Sequence, residues 1–403
     1  MKRNNDLYGF LAPGIPFFKQ NGVTLIKTLE DIVRAANKKL GYDEYIQTPF
    51  IVPTEILSQS GHMQYYTEDI YNLGNEKSIK PMNCPGLLAT ILQEGVLTEE
   101  TCRRKIAEIR GTVARTEYDH ILGENLKRLY VFTQDDSHAL VTSNEQAIEL
   151  IKENLKVMTD IYKMLGFSFD DESFMAIITH GKPENSLGTP QEWMRAEEGL
   201  VRVLDELKTE GIIPEYSFLD KDAAFYGPKV NFRVKCGEKW IQCGTVQLDY
   251  LMPKQMGVKY IGKDGQEHFP IMIHRAFLGS YERAVQILME KYNGRFPTWL
   301  SPVQARILTQ GNSDIQKIME ADGVSKVLND SKILTEVDSG EESIEEKIKL
   351  AQEGQMIVPY LIEIIDKNKL KVFSRDRGRF EETTLPLFIS RRTMEITSKG
   401  KFR

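Results

Sequence analysis

Apolar positions recur at helical spacing over residues 22–40, after an extended lead-in. The next apolar run, YIQTPFIVP (45–53), reads as a strand, and Pro49 inside it assigns that strand to an edge or an interface. A short helix is expected from Thr54, and residues 87–110 carry helical spacing again. Residues 111–139 alternate as two strands joined by the polar stretch YDHILGENLKR. A long amphipathic helix is expected over 143–165, with Leu150, Ile151, Leu155, Met158 and Ile161 on one face. Then follow a strand, a helix over 190–210, and the strands NFRVKC and WIQCGTVQLDY. So many strands with few regular crossovers predict an antiparallel α+β sheet rather than a doubly wound one. Beyond the proline-bracketed linker RFPTWLSPVQ, the segments ARILTQ, SKILTEV, MIVPYLIEII and LKVFSR alternate with helical stretches. That alternation predicts a second, small α/β domain. The expected boundaries are 1–300 and 301–403, with no internal repeat and no low-complexity tract.

A length of 403 residues fits two or three domains. Hydrophobic content of 41% and charged content of 27% are those of an ordinary globular protein. The N-terminus MKRNNDLYGF lacks a signal-peptide pattern and no apolar run reaches membrane-span length, so a cytoplasmic protein without a membrane partner is expected. Four cysteines in so long a chain predict reduced thiols rather than a disulfide framework. Cys236 and Cys243, which flank GEKWIQ, read as hairpin residues rather than a metal pair. A net charge of −6 gives no overall attraction for nucleic acid, so an RNA partner would need a local basic surface.

Three distant residues carry the strongest chemical signal: Cys84 in KPMNCPG, His138 in FTQDDSHAL and His274 in IMIHRAFLGS. Taken singly, each is more often a buried thiol or a hydrogen-bonded core imidazole. Their surroundings change that. Pro81, Pro85 and Gly86 make a rigid turn around Cys84, His138 follows Asp135 and Asp136 at the end of a strand-like run, and His274 precedes Arg275, Gly279, Glu282 and Arg283 at a helix start. One thiolate and two imidazoles form a three-ligand zinc set, which keeps a coordination position open for substrate or water.

With KPMNCPG, FTQDD followed by His138, AFYGPK, QCGTVQLD and MIHRAFLGSYER in place, the chain resembles the class II aminoacyl-tRNA synthetases, and among them the threonyl enzymes. The resemblance implies a class II antiparallel-sheet catalytic domain followed by a small anticodon-binding-like α/β domain, one zinc ion on Cys84, His138 and His274, ATP with Mg2+, L-threonine, tRNA and a homodimer, whose interface would include the Pro49 strand. It implies catalytic roles for Arg115, Lys229 and Arg283, and an ATP site of Arg115, Glu117, Arg128, Phe132, Gln242, Thr245 and Arg283. Met82, Gln134, Asp136, Tyr226 and Gln247 would hold the amino acid. The chemistry agrees: a carboxylate meeting an α-phosphate needs a fixed cation between them, and a guanidinium pairs with phosphate through two parallel hydrogen bonds. By the same resemblance, threonine's amine and hydroxyl both reach the zinc, which rejects valine. A site built around a substrate hydroxyl rejects the analogue lacking it by a factor on the order of 10⁴. Serine differs by one methyl group, worth only roughly 1–3 kcal/mol. Threonyl enzymes commonly carry an N-terminal editing domain, and this chain begins almost at the catalytic domain, so no in-chain editing is expected.

Two departures matter. In the second class II motif Ala114 replaces the usual His, TEYDHILGENLKR replaces a small loop and Arg128 stands without its paired arginine; elsewhere, Leu87 replaces the His after CPG. In EVDSGEESIEEKI six acids (Glu336, Asp338, Glu341, Glu342, Glu345 and Glu346) precede the first base, Lys347, where the family reads the anticodon, while Arg375, Arg377 and Arg379 offer another basic face. Three readings follow: a threonine–tRNA ligase with atypical tRNA recognition, a threonine-activating paralogue that serves another acceptor, or a non-catalytic module sensing threonine or tRNA.

Overall fold

The computed structural model describes residues 6–399 except 171, 182–185, 221, 310–314, 351–352, 354–357 and 367. Gln310, Met356 and Ile357 of the expected strands therefore lie outside the described residues. The helix α1 (Gln20–Lys39) follows a short hairpin, Tyr8–Ala12 with Ile15–Phe18. The frame it packs on is an eight-stranded sheet built from β1 (Glu44–Tyr45), β2 (Arg104–Ala114), β3 (Val131–Val141), β4 (Phe174–Thr179), β5 (Tyr216–Leu219), β6 (Lys229–Cys236), β7 (Lys239–Asp249) and β8 (Ile271–Ala276). Their spatial order is β5-β4-β6-β7-β8-β3-β2-β1. Pairing is antiparallel through the middle and parallel only at the two margins, β4 with β5 and β1 with β2. This is the expected α+β arrangement.

Four further helices complete the frame: α2 (Cys84–Leu92), α3 (Asn144–Met164), α4 (Pro190–Thr209) and α5 (Tyr281–Tyr292). α3 starts where the Ser143 hydroxyl accepts the amide of Gln146, and it buries Leu150, Ile151, Leu155, Met158 and Ile161 against the sheet. α4 opens on a reciprocal cap in which Thr189 and Glu192 satisfy each other's amides, with Pro190 at the first helical position. Both helices lie within a residue or two of the spans read from their apolar periodicity.

Two expectations fail for physical reasons. Residues 87–110 are not one helix: α2 ends at Leu92, Gly95 takes a left-handed conformation (φ 81°), and β2 begins at Arg104. Strand β2 has neighbours on both sides and is buried on both faces, so Ile106, Ala107 and Ile109 lose the two-residue alternation that distinguishes a strand from a helix. The run 45–53 is likewise not one strand. Tyr45 ends β1, whereas Ile51–Pro53 pairs with Lys77–Ile79 in a separate three-stranded sheet, leaving Pro49 between them. At that break Lys80 and Glu108, both buried, pair at 3.2 Å, and Thr48 donates its amide and hydroxyl to Glu108.

A second, five-stranded sheet follows: β9 (Ala305–Leu308), β10 (Thr335–Asp338), β11 (Tyr360–Asp366), β12 (Lys369–Ser374) and β13 (Arg379–Thr383), in the order β10-β9-β11-β12-β13. Its core holds Ala305, Ile307, Ile362, Leu370, Val372 and Phe388. Here the acidic run is partly neutralised. Glu336 pairs with Arg306, Asp338 with Lys347 at 2.8 Å, and Glu346 caps its own helix through Ser343, while Glu341, Glu342 and Glu345 stay exposed. The Lys347 ammonium is buried and also donates to the carbonyls of Thr309, Asp338 and Gly340. It closes the end of the sheet rather than presenting a base to solvent.

Between β8 and α5 the chain turns at Gly279, where φ is 76° and an added Cβ would sit 2.4 Å from the Cys243 carbonyl oxygen. Left-handed backbone and a steric overlap act together there. Replacing Gly279 by alanine is expected to cost roughly 2–4 kcal/mol of stability, read as a lowered chemical-denaturation midpoint.

Candidate functional site

The site lies where β2, β3, β6, β7 and β8 face α2 and the start of α5. In the β3–β8 pairing His138 and His274 are direct partners, so both imidazoles rise from one face with centroids 4.9 Å apart and planes at 81°. Cys84 reaches them as the first residue of α2. The turn before it is pinned on both sides: the Lys80 ammonium donates to Thr48, and Asn83 donates to Asp136 at 2.8 Å. Gly111 makes room for this turn, because a Cβ there would lie 2.4 Å from the Asn83 amide nitrogen.

One ligand atom from each of Cys84, His138 and His274 lies within 4.8 Å of the others, and all three residues are buried. Zinc bonds of about 2.0–2.3 Å put tetrahedral ligand atoms about 3.5 Å apart, so this set fits the ion with little adjustment. One sulfur and two nitrogens suit zinc rather than calcium or magnesium. Burial pushes the Cys84 thiol well above its ordinary range, and the carboxylates of Asp136 and Asp249 push it the same way. Burial also lowers His138 to about 4, so its imidazole stays neutral with a lone pair to give. The surroundings therefore disfavour a bare thiolate but would welcome a dication.

A cavity of about 280 Å³ extends from this triad. Met82, Gln134, Asp136, Tyr226 and Gln247 line it, as do Arg115, Phe132, Lys229, Gln242, Thr245 and Arg283. Among the described residues the buried Oε1 of Gln247 has no hydrogen-bond partner, which leaves it an acceptor for something else. Tyr226 stacks obliquely on His274 at 4.9 Å and donates to the Met82 sulfur at 3.6 Å. Glu117 and Arg128 do not line the cavity. They pair with each other at 3.2 Å, with Arg128 more than half exposed.

The same cavity also concentrates positive charge. The Arg115 guanidinium donates to the Pro81 carbonyl and lies over the rings of Tyr66 and Phe132, at 5.6 and 5.2 Å. Arg283 donates twice to the Lys127 carbonyl, at 3.2 and 3.0 Å. Burial lowers its pKa, and the charges of Arg115 and Arg128 lower it further. Burial likewise lowers Lys229, with Arg115 adding to the effect. Cations that destabilise one another in this way form a site complementary to an anion.

Several supporting residues escaped the sequence reading. Asn231 accepts from both Gln242 and Thr245 at 3.0 Å and so orients the pair. Asp249 holds His274. His62, buried and lowered to about 3 by that burial, approaches the Met82 sulfur at 3.3 Å. Glu282 accepts the Thr133 amide on both oxygens at 3.0 Å, and Asp135 accepts the amides of Phe277 and Leu278. None sits in a spacing that announces a role, although Asp135, Asp249 and Glu282 stand inside quoted motifs.

Residues 65–292 match the sequence profile of the tRNA synthetase class II core domain (G, H, P, S and T). A threonine–tRNA ligase of Clostridium tetani is 38% identical over 400 residues, which is 96% of this chain and 59% of that protein. One from Clostridium novyi is 36% identical over 397 residues, with the same coverage. The chain thus spans about three-fifths of the length of the curated relatives it matches. Among solved structures, the RNA binding domain of threonyl-tRNA synthetase from Cryptosporidium parvum Iowa II has a TM-score of 0.85 at 28% identity, covering 98% of this chain and 96% of that one. Prolyl-tRNA synthetase from Cryptosporidium parvum, at 13% identity and a TM-score of 0.69 over 98% of this chain and 77% of that one, shares the fold.

The Glu282 bridge between α5 and β3 should be measurable. Glu282→Ala leaves the Thr133 amide without its acceptor and is expected to cost roughly 1–3 kcal/mol in urea unfolding, while Glu282→Gln, which keeps one acceptor oxygen, should lose less.

Proposed function

We propose that this chain, which belongs to the class II tRNA synthetase core family, activates L-threonine with ATP and passes the threonyl group to tRNA. The observation that carries the reading is one cavity lined both by Cys84, His138 and His274 and by Arg115, Lys229 and Arg283. A substrate that carries both metal-binding donors and an anion would satisfy both sets. Zinc, when bound by Cys84, His138 and His274, supplies open coordination positions that a neighbouring amine and hydroxyl can fill, which distinguishes threonine from valine.

In the proposed first step a threonine carboxylate oxygen bonds to the α-phosphorus of magnesium-bound ATP, and the bond to the bridging oxygen breaks to release pyrophosphate. Arg115 sets a fixed positive charge between the two anions, while Lys229 and Arg283 take charge on the phosphates. Phe132 offers its face to the base, and Gln242 and Thr245, oriented by Asn231, add donors. Asp136 and the Gln247 oxygen accept hydrogen bonds from the substrate's amine and hydroxyl. In the second step a ribose hydroxyl attacks the threonyl carbonyl carbon and AMP leaves.

The exposed apolar residues Tyr45, Phe50 and Ile51 support a homodimer contact at this margin. Four free, buried thiols support a reducing compartment such as the cytoplasm. Among the described residues, no helix is long and apolar enough to cross a membrane.

A second reading, transfer to a different acceptor, draws on the rewritten loop. Leu126 is buried and its amide donates to Gln286, while the Lys127 ammonium pairs with Glu290 at 2.7 Å and its carbonyl binds Arg283. This loop is fastened inward, against α5. Charging of purified tRNA under conditions that support activation separates the two readings.

Threonine-dependent exchange of pyrophosphate into ATP is the direct test, and its absence would overturn both. Arg115→Ala should lower the exchange rate by roughly 10²–10³. Cys84→Ser should lose zinc, measured by elemental analysis, together with exchange; full activity in a metal-free variant would refute the ligand assignment.

A further inference from the structure

Asp249 closes β7 and is wholly buried. One oxygen, Oδ1, accepts the amides of Leu251 and Met252 at 2.7 and 2.9 Å, which fastens it at the strand's end. The other, Oδ2, lies 2.9 Å from His274 Nε2. The antiparallel pairing of β7 with β8 makes this meeting possible, because Gln247 is the direct partner of His274 and Asp249 stands two residues further along the same face. A carboxylate offers only acceptors, so the imidazole proton must sit on Nε2. That leaves the Nδ1 lone pair as the ring's donor to a metal.

We infer that Asp249 is the positioning residue of the metal centre, fixing the tautomer and the ring plane of His274 while the two backbone amides fix Asp249 itself. The inference rests on the zinc reading given above. A buried carboxylate is costly to keep unless it is paired, and here its free oxygen meets the imidazole. Outer partners of this kind orient a ligand before the ion arrives and raise its basicity.

Asp249→Asn isolates the effect. The side-chain carbonyl can still accept both amides, so the strand end is kept, but the new amide donates to Nε2 and moves the imidazole proton to Nδ1. Zinc can then bind only after that proton has left or the ring has turned. Zinc content and affinity, the latter by competition with a chelator, are measured for the wild-type and variant chains, with the melting temperature of each metal-free protein beside them. We expect roughly 10–100-fold weaker zinc binding in Asp249→Asn with little change in the metal-free melting temperature. The visible spectrum of the cobalt(II)-substituted protein should shift as well, since a merely structural residue would leave the ligand field alone. If the wild-type chain binds no zinc, the metal reading itself falls and takes this inference with it. If the wild-type binds zinc and Asp249→Asn holds it as tightly with an unchanged cobalt spectrum, only the assignment of Asp249 is overturned. A metal-free variant that melts far below wild type would also overturn it, by showing that the carboxylate serves the fold.

Discussion

The functional end of this molecule depends on one register. When β3 and β8 pair so that His138 faces His274, Gln134 and Asp136 come to the cavity from β3 and Ala276 marks where the second strand stops. A shift of either strand by one residue would turn its imidazole into the opposite layer and part the pair, because side chains alternate along a strand. The register is fixed from several directions at once. Arg275, fully buried, donates to Asn37 of α1 and Asn154 of α3 and packs over Phe277, and Asp135 lies 3.9 Å from it. Burial pushes the Asp135 carboxyl up to about 7, with Arg275 and two backbone amides acting the other way.

The cavity has two electrostatic characters. Around Cys84 the charges of Asp136 and Asp249 make the site hospitable to a cation, and around Arg283 the arginines make it hospitable to an anion. These opposed preferences would let one small space orient an asymmetric guest. The supporting residues belong to the same arrangement: Asn231, Asp249 and Asn83 each hold a side chain that faces the cavity. Their amide and carboxylate groups do for the lining what the sheet does for the backbone.

How much of this was legible in the chain follows from how each residue is surrounded. α3 and α4 could be read because each buries one stripe and carries a side-chain cap at its start. β2 could not, since a strand enclosed on both faces has lost its alternation, and the break at Pro49 depends on two sheets competing for one run of residues. That Cys84, His138 and His274 would stand together was suggested by the prolines, acids and helix start around them. Asp249 stands inside the motif QCGTVQLD, but its link to His274 could not be read, because that partner is 25 residues away and only the strand pairing brings them together. The acidic run after β10 reads as a repulsive surface in one dimension. In three, Arg306 and Lys347 reach it from outside the run or from its end.

The carboxylates of Asp135 and Glu282 have a wider meaning for the sheet. Beyond Ala276, strand β8 has left β3, and an ordinary parting of strands would orphan main-chain groups along the split. Here the two acids act as a surrogate strand, receiving the amides of Thr133, Phe277 and Leu278 that a neighbouring backbone would otherwise receive. The layer can therefore fork without leaving these amides unpaired, and the residues just past the fork, Gly279, Ser280 and Arg283, turn back to line the cavity.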